Sequence, residues 1–191
     1  MDNSQNIAQE TKKPTSYCEY TQNLPEDNIH RIYHDTLYGF PVDSDDELFG
    51  RFILEINQAG LSWDTILKKQ DNFRAAFSNY SITAIANYGQ RDIERLLNNA
   101  GIIRNKLKIN AVIYNANQIL TLVQEHGSFK NWLDSQPKMD ISQWVKLFKK
   151  TFKFTGGEIT KEFLMSTGYL PGAHVKGCPV LKLIEQSNQV T

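Results

Sequence analysis

Glu55 and Trp63 bracket the stretch Leu54-Glu55-Ile56-Asn57-Gln58-Ala59-Gly60-Leu61-Ser62-Trp63, and a carboxylate beside an indole suits a small flat ligand. At roughly 100° per residue, Leu48, Phe49, Phe52, Ile53, Ile56 and Ala59 share one arc of a helix, and Glu55 projects from its edge. An acid so placed is partly buried. A carboxylate taken from water is costly without a partner, so this one either meets a cation or donor or serves a ligand that brings one.

Two further groups carry chemistry. Cys18 and His34 near one end and His174-x-x-x-Cys178 near the other make a Cys2His2 set, a common structural choice for zinc. Taken singly, each is read more plainly as packing or a satisfied side chain. The His34-Asp35 dipeptide also fits metal-dependent phosphohydrolases, but those need more histidines than the four present. The segment Leu97 to Lys106 joins two helices through a tight turn around Gly101. Amides at the start of the second helix, with the positive end of its dipole, suit a phosphate, and Arg104, Lys106 and Lys108 lie beside them. By itself that segment is an ordinary antiparallel connection with solvated charges.

The elements that must position these groups are helices. Helical patterning covers Glu26 to Leu37, and Ser44-x-x-Glu47 fits a capping box that opens the Glu55 helix, with Gly60 as its stop. Ser62 caps a run continuing through Phe77 to Asn79, and Ser81 opens a short helix to Ala86. Further helices are expected over Arg91 to Asn99, Asn105 to His126, Phe129 to Asp134, Ser142 to Lys150 and Glu158 to Thr167. No stretch alternates with period two, and no repeat appears, so the class is all-α. The expected organisation is a disordered leader over 1–16, one helical domain over 17–182 and a tail over 183–191.

The 191 residues suffice for a sizeable core, and 21 basic residues balance 21 acidic ones. Acids gather at Asp43, Asp45, Asp46 and Glu47; cations gather at Arg104 to Lys108 and at Lys146, Lys149, Lys150 and Lys153. The polar first residues and the lack of a long apolar run lead to the expectation of a cytoplasmic protein with no membrane partner. Its two cysteines are then expected to be reduced.

Tyr33-His34-Asp35, Gly39-Phe40-Pro41, Glu55-x-x-Gln58-Ala59-Gly60-Leu61-Ser62-Trp63, Ala100-Gly101-Ile102-Ile103-Arg104, Phe152-Lys153-Phe154 with Gly156, and His174-Val175-x-Gly177-Cys178 run in one order along 17–180. Together they resemble 3-methyladenine DNA glycosylase I, of the helix-hairpin-helix glycosylase superfamily. The resemblance implies a helix-hairpin-helix glycosylase fold in which zinc, held by Cys18, His34, His174 and Cys178, joins the two chain ends. It implies a monomer that acts on double-stranded DNA containing alkylated purines and hydrolyses the N-glycosidic bond of 3-methyladenine. Glu55 is the implied catalytic residue, reading the amino edge of the purine. Tyr33 and Trp63 flank the ring, and Tyr38, Tyr20 and His30 complete the base-binding set. Tyr38 and Tyr20 stand where the family often has tryptophan, and His30 stands where it commonly has tyrosine.

Gly101, Arg104 and Lys106 are the implied contacts to the DNA backbone. Ile103 replaces the second glycine of the hairpin motif, and Asn105 stands where members that also cleave the backbone carry a lysine nucleophile. The implied enzyme is therefore monofunctional. Alkylation at N3 makes adenine cationic and weakens its glycosidic bond, so a pocket of aromatic faces with one carboxylate addresses most of the problem. A reading from another class is a zinc-containing DNA-binding module that senses damaged bases without catalysis; it gives no reason for the acid.

Overall fold

The structure, a computed structural model, describes residues 13–187. The regular elements among them are α1 (Tyr17–Gln22), α2 (Ile29–Thr36), α3 (Asp45–Gln58), α4 (Trp63–Leu67), α5 (Gln70–Ala76), α6 (Ile82–Ala86), α7 (Gln90–Leu97), α8 (Lys106–His126), α9 (Phe129–Asp134), α10 (Ile141–Thr151), α11 (Gly157–Ser166) and α12 (Pro179–Ser187), with a 3-10 turn at Ser78–Tyr80. The all-α reading holds for these residues. Most of the expected leader, 1–12, and residues 188–191 of the expected tail lie outside them. None of the described helices is long and apolar enough to cross a membrane.

Helix α3 is the hub. It packs against α4, α5, α6, α8, α9 and α11, and Leu48, Phe49, Phe52, Ile53 and Ile56 are fully buried along it. Phe52 lies 5.0–5.8 Å, centroid to centroid, from Phe148, Phe152 and Phe163, which draws α10 and α11 onto the same face. At its N-terminus the Ser44 hydroxyl accepts from the Glu47 amide, but only half of the expected capping box forms. The Glu47 carboxylate goes instead to Arg74 of α5, in a two-pronged pair at 2.6 and 2.7 Å. Its acidic neighbours are also committed. Asp45 accepts from the Phe129 and Lys130 amides at the start of α9, and Asp46 accepts from the Ile82 amide at the start of α6. Each acid thus caps or pairs with another helix and satisfies a donor that has no intrahelical partner.

The other end of α3 is held as firmly. Gly60 takes φ +80° and releases the chain, while Lys108 of α8 donates to the carbonyls of Asn57 and Ala59 at 2.8 and 2.7 Å. A cation on those carbonyls matches the negative end of the helix dipole. Lys108 is buried by this role and is therefore absent from the exposed cationic group in which the sequence places it.

Other differences from the sequence reading have local causes. The run from Ser62 breaks at Lys68-Lys69 into α4 and α5. Asn79 and its neighbours Ser78 and Tyr80 all take positive φ, which turns the chain so that the Tyr80 ring lies against α3. Helix α1 is short and was not expected. Helix α12 runs past residue 182 because Val180, Leu181 and Ile184 pack with Cys18, Cys178 and Phe40.

The Tyr80 ring needs a gap in α3, and Gly50 provides it: a Cβ there would stand 2.3 Å from the ring. Gly50→Ala is expected to cost about 1–3 kcal/mol through overpacking. Denaturant titrations should show the loss, and the loss should shrink in a Tyr80→Leu background.

Candidate functional site

Glu55 sits in the last turns of α3, 4 % exposed, at the wall of a cavity of about 240 Å³ lined by Tyr17, Tyr33, Tyr38, Glu55, Gln58, Trp63 and Glu162. The volume lies below the usual range for drug-sized ligands and suits a single small ring system. Four aromatic side chains form most of the wall. Tyr33 and Trp63 meet at 5.1 Å between centroids and 58° between planes, and Tyr38 lies 5.6 Å from both Tyr33 and Tyr17. No side chain among the described residues hydrogen-bonds the Glu55 carboxylate. Burial pushes its pKa up to about 8; nearby Glu162 adds to the rise and Arg51 opposes it.

Glu162 reaches the cavity from α11 and accepts from the Tyr38 hydroxyl at 3.2 Å. Its pKa is raised as well, chiefly by burial. Two carboxyl groups that both resist ionisation make a cavity whose acids are stabilised by an incoming cation.

Of the base-binding set expected from the sequence, the structure places Tyr33, Tyr38 and Trp63 on the cavity. Tyr20 and His30 do not line it. The Tyr20 ring is 38 % exposed and stacks on the outer side of Tyr17, while His30 is buried beneath Tyr17. In their place stand Tyr17 and Glu162, which the sequence reading omitted. Tyr17 directly precedes Cys18, which was the available signal; Glu162 lies in α11, far along the chain, and nothing in its local spacing marks it.

Behind the tyrosines, Cys18, His34, His174 and Cys178 converge, all buried, with ligand atoms within 4.8 Å of one another. His34 Nε2 and His174 Nδ1 are 3.1 Å apart, and the separations from Cys18 Sγ to His174 and from Cys178 Sγ to His34 and His174 are 3.6–3.7 Å. A tetrahedral zinc ion with ordinary bond lengths needs about 3.3 Å between nitrogens and about 3.6 Å between sulfur and nitrogen. The outer shell agrees: His34 Nδ1–H donates to Asp35 at 2.6 Å, and His174 Nε2–H donates to the Tyr38 carbonyl at 2.8 Å. Each imidazole therefore turns an unprotonated nitrogen inward, as metal ligation requires. Both cysteines are free thiols, and burial raises the Cys18 pKa and lowers that of His174.

The 98–105 connection carries Gly101 and Arg104, and Lys106 opens α8 directly after it. Arg104 and Lys106 are exposed, and Gly101 is held by its amide donating to Asn99 at 2.8 Å and by Lys69 donating to its carbonyl at 3.3 Å. Asn105 caps α8 by accepting from the Leu107 and Lys108 amides. Two of the amides expected to face a phosphate are therefore occupied. Near this connection, Asn115 clips the Phe152-Lys153-Phe154 motif by exchanging two hydrogen bonds with the Lys153 backbone, leaving Phe152 in the core and Phe154 part-exposed at φ +62°.

The family model described as methyladenine glycosylase matches residues 23–146. DNA-3-methyladenine glycosylase 1 of Escherichia coli (strain K12) is 35 % identical over 174 residues, covering 81 % of this chain and 92 % of that protein. DNA-3-methyladenine glycosylase of Haemophilus influenzae (strain ATCC 51907 / DSM 11121 / KW20 / Rd) is 32 % identical, covering 86 % and 97 %. The structure of 3-methyladenine DNA glycosylase I from Staphylococcus aureus, solved to explain 3-methyladenine recognition, superimposes with a TM-score of 0.73 at 31 % identity, covering 82 % and 93 %.

Burial of Glu55 fixes a sign. Its folded pKa exceeds the unfolded value, so the folded protein holds the extra proton between pH about 4.5 and 8, and stability falls as pH rises through that window. Glu55→Gln removes that loss. Its unfolding free energy should match wild type near pH 5 and exceed it by about 1–3 kcal/mol near pH 8.5, read by urea titration at both pH values.

Proposed function

The chain belongs to the methyladenine glycosylase family, and from that premise we propose that it hydrolyses the N-glycosidic bond of 3-methyladenine in alkylated DNA, receiving the extruded base in the cavity around Glu55. The observation that carries this reading is the buried carboxyl with no side-chain hydrogen bond among the described residues, walled by Tyr17, Tyr33, Tyr38 and Trp63. An N3-alkylated adenine in DNA is a flat cation with an exocyclic amino edge. It offers to Glu55 the positive charge and donor that the protein withholds, and to the rings a cationic face. A module that only senses damage has no need of a buried acid held ready for such a partner.

The base must leave the stack to reach this cavity, because its glycosidic bond is inaccessible within a duplex. Once it is seated, the C1′–N9 bond breaks with its electron pair passing to the base, which becomes neutral. Water then adds to C1′ of the oxocarbenium-like sugar and loses a proton to solvent. Glu55 contributes by reading and holding the base; Tyr33 and Trp63 keep the ring in place and exclude water. The exposed Arg104 and Lys106, beside Gly101 in the connection between α7 and α8, serve as the backbone grip of a helix-hairpin-helix element. Asn105 is spent on capping α8, in keeping with a monofunctional enzyme that has no amine nucleophile there.

Cys18, His34, His174 and Cys178 would hold structural zinc, for which their donor types, spacing and outer hydrogen bonds fit. The ion supplies folding free energy and no step of the reaction.

Release of 3-methyladenine from methylated DNA, followed for wild type beside Glu55→Ala, tests the activity. Wild type is expected to release the base and the variant to lose roughly 10–100-fold in kcat/KM; equal release by both, or release by neither, sinks the assignment. Elemental analysis is expected to find about one zinc per chain, and Cys178→Ser to cost about 2 kcal/mol or more in unfolding free energy. Zinc-free protein with an unchanged melting temperature excludes the ion.

A further inference from the structure

Beneath the cavity wall runs a chain of polar contacts that the base-reading role of Glu55 does not use. The Tyr17 hydroxyl lies 3.0 Å from His30 Nδ1, and His30 Nε2 lies 3.3 Å from Asp64 Oδ1. Lys68 pairs with the other oxygen of Asp64 at 2.8 Å. His30 is 6 % exposed and shielded from above by Tyr20, whose ring meets it edge-on at 5.4 Å. Three separate elements are linked in this way: α1 through Tyr17, α2 through His30, and the first turn of α4 through Asp64, the residue next to Trp63.

We propose that His30 and Asp64 are positioning residues for base binding, which orient the Tyr17 phenol and, with it, the Trp63 ring at the wall of the cavity. This rests on the base-pocket reading given above.

Asp64 is ionised, since the Lys68 ammonium, with a smaller contribution from His30, holds its carboxyl below the usual carboxylate range. An ionised carboxylate only accepts, so His30 Nε2 carries a proton toward Asp64, and in the tautomer with that single ring proton Nδ1 is the acceptor. The Tyr17 O–H then donates to Nδ1, with the His30 carbonyl a second acceptor at 3.4 Å, and points away from the cavity. The Trp63 indole packs with Tyr17 on the same wall of the cavity. The Tyr17 hydrogen is thereby turned away from the cavity. Toward the cavity Tyr17 then presents its ring face, which attracts a cation, and not its hydroxyl hydrogen.

The geometry also accounts for a histidine under the wall. Its two nitrogens lie on opposite sides of a short rigid ring, so one side chain both accepts from Tyr17 and donates to Asp64. The arrangement spans from α1 to α4 and leaves neither polar atom of His30 unpaired at a site where an orphaned group is costly.

The test uses the full, zinc-loaded chain and three variants: Tyr17→Phe, His30→Ala and His30→Gln, whose amide can both accept and donate. The Trp63 indole N–H signal, assigned through Trp63→Phe, is followed by 15N–1H NMR, alone and during titration with free 3-methyladenine. Tyr17→Phe and His30→Ala are each expected to shift the indole signal and to weaken binding of the base about 5–20-fold. On methylated DNA they should raise KM and leave kcat within about two-fold. The double variant should be no worse than either single one, and His30→Gln should recover part of the affinity. An unchanged indole signal with unchanged affinity in Tyr17→Phe, or losses that simply add in the double variant, overturns the proposal. If His30→Ala fails to fold, Tyr17→Phe, which deletes one oxygen atom, decides alone. Should wild type release no 3-methyladenine, the proposed function fails, and the indole signal still settles whether the polar chain orients the wall.

Discussion

A carboxyl group buried at 4 % exposure, with no hydrogen bond from a side chain among the described residues, is an unfavourable thing to build, and much of the fold is arranged to keep Glu55 in that state. Helix α3 cannot roll to expose it. Phe49, Phe52, Ile53 and Ile56 lock its apolar arc into the core, Asp45, Asp46 and Glu47 tie its first turn to α9, α6 and α5, and Lys108 ties its last carbonyls to α8. The helix is over-determined at both ends and along one side. That leaves the acid in place with its charge suppressed until something cationic arrives, a local cost met by packing elsewhere.

The aromatic wall opposite Glu55 is fixed from behind by the Cys2His2 cluster. Tyr17 adjoins Cys18, Tyr33 adjoins His34, and the Tyr38 carbonyl accepts from His174. Three of the four rings on the cavity are therefore one residue or one hydrogen bond from a cluster ligand. A cluster that joins the chain ends also sets the spacing of the wall, so the stability of the termini and the shape of the pocket share one origin. The polar line through His30 does the same for the fourth ring, reaching α4 beside Trp63.

How much of this was legible in the sequence depends on whether a residue's environment is local. The helices announce themselves through caps such as Ser44, Ser62, Ser81 and Asn105 and through their apolar periods. The ligand set was legible because cysteine and histidine are few, and Glu55 because an acid interrupts an apolar arc. Tyr17 and Glu162 were missed because their place on the cavity is set by packing of α1 and α11 against distant helices, which no local spacing encodes. Tyr20 and His30 were expected on the pocket because matching motifs place the backbone, but which of two rings three residues apart faces inward is decided by neighbours: Tyr17 takes the inner position, Tyr20 covers it, and His30 supports it. Lys108 looked like one of three solvated cations; only the approach of the α3 carboxyl end shows that it is a cap.

That buried lysine has a mechanical consequence. Its ammonium joins the end of the helix bearing Glu55 to the first turn of α8, directly after the connection that exposes Arg104 and Lys106. The two hydrogen bonds are short and shielded from water, so they act as a stiff strut with little slack. The connection that carries Arg104 is thereby linked through Lys108 to the carbonyls just before Gly60-Leu61-Ser62 and Trp63, so grip on the outside and fit on the inside share one support.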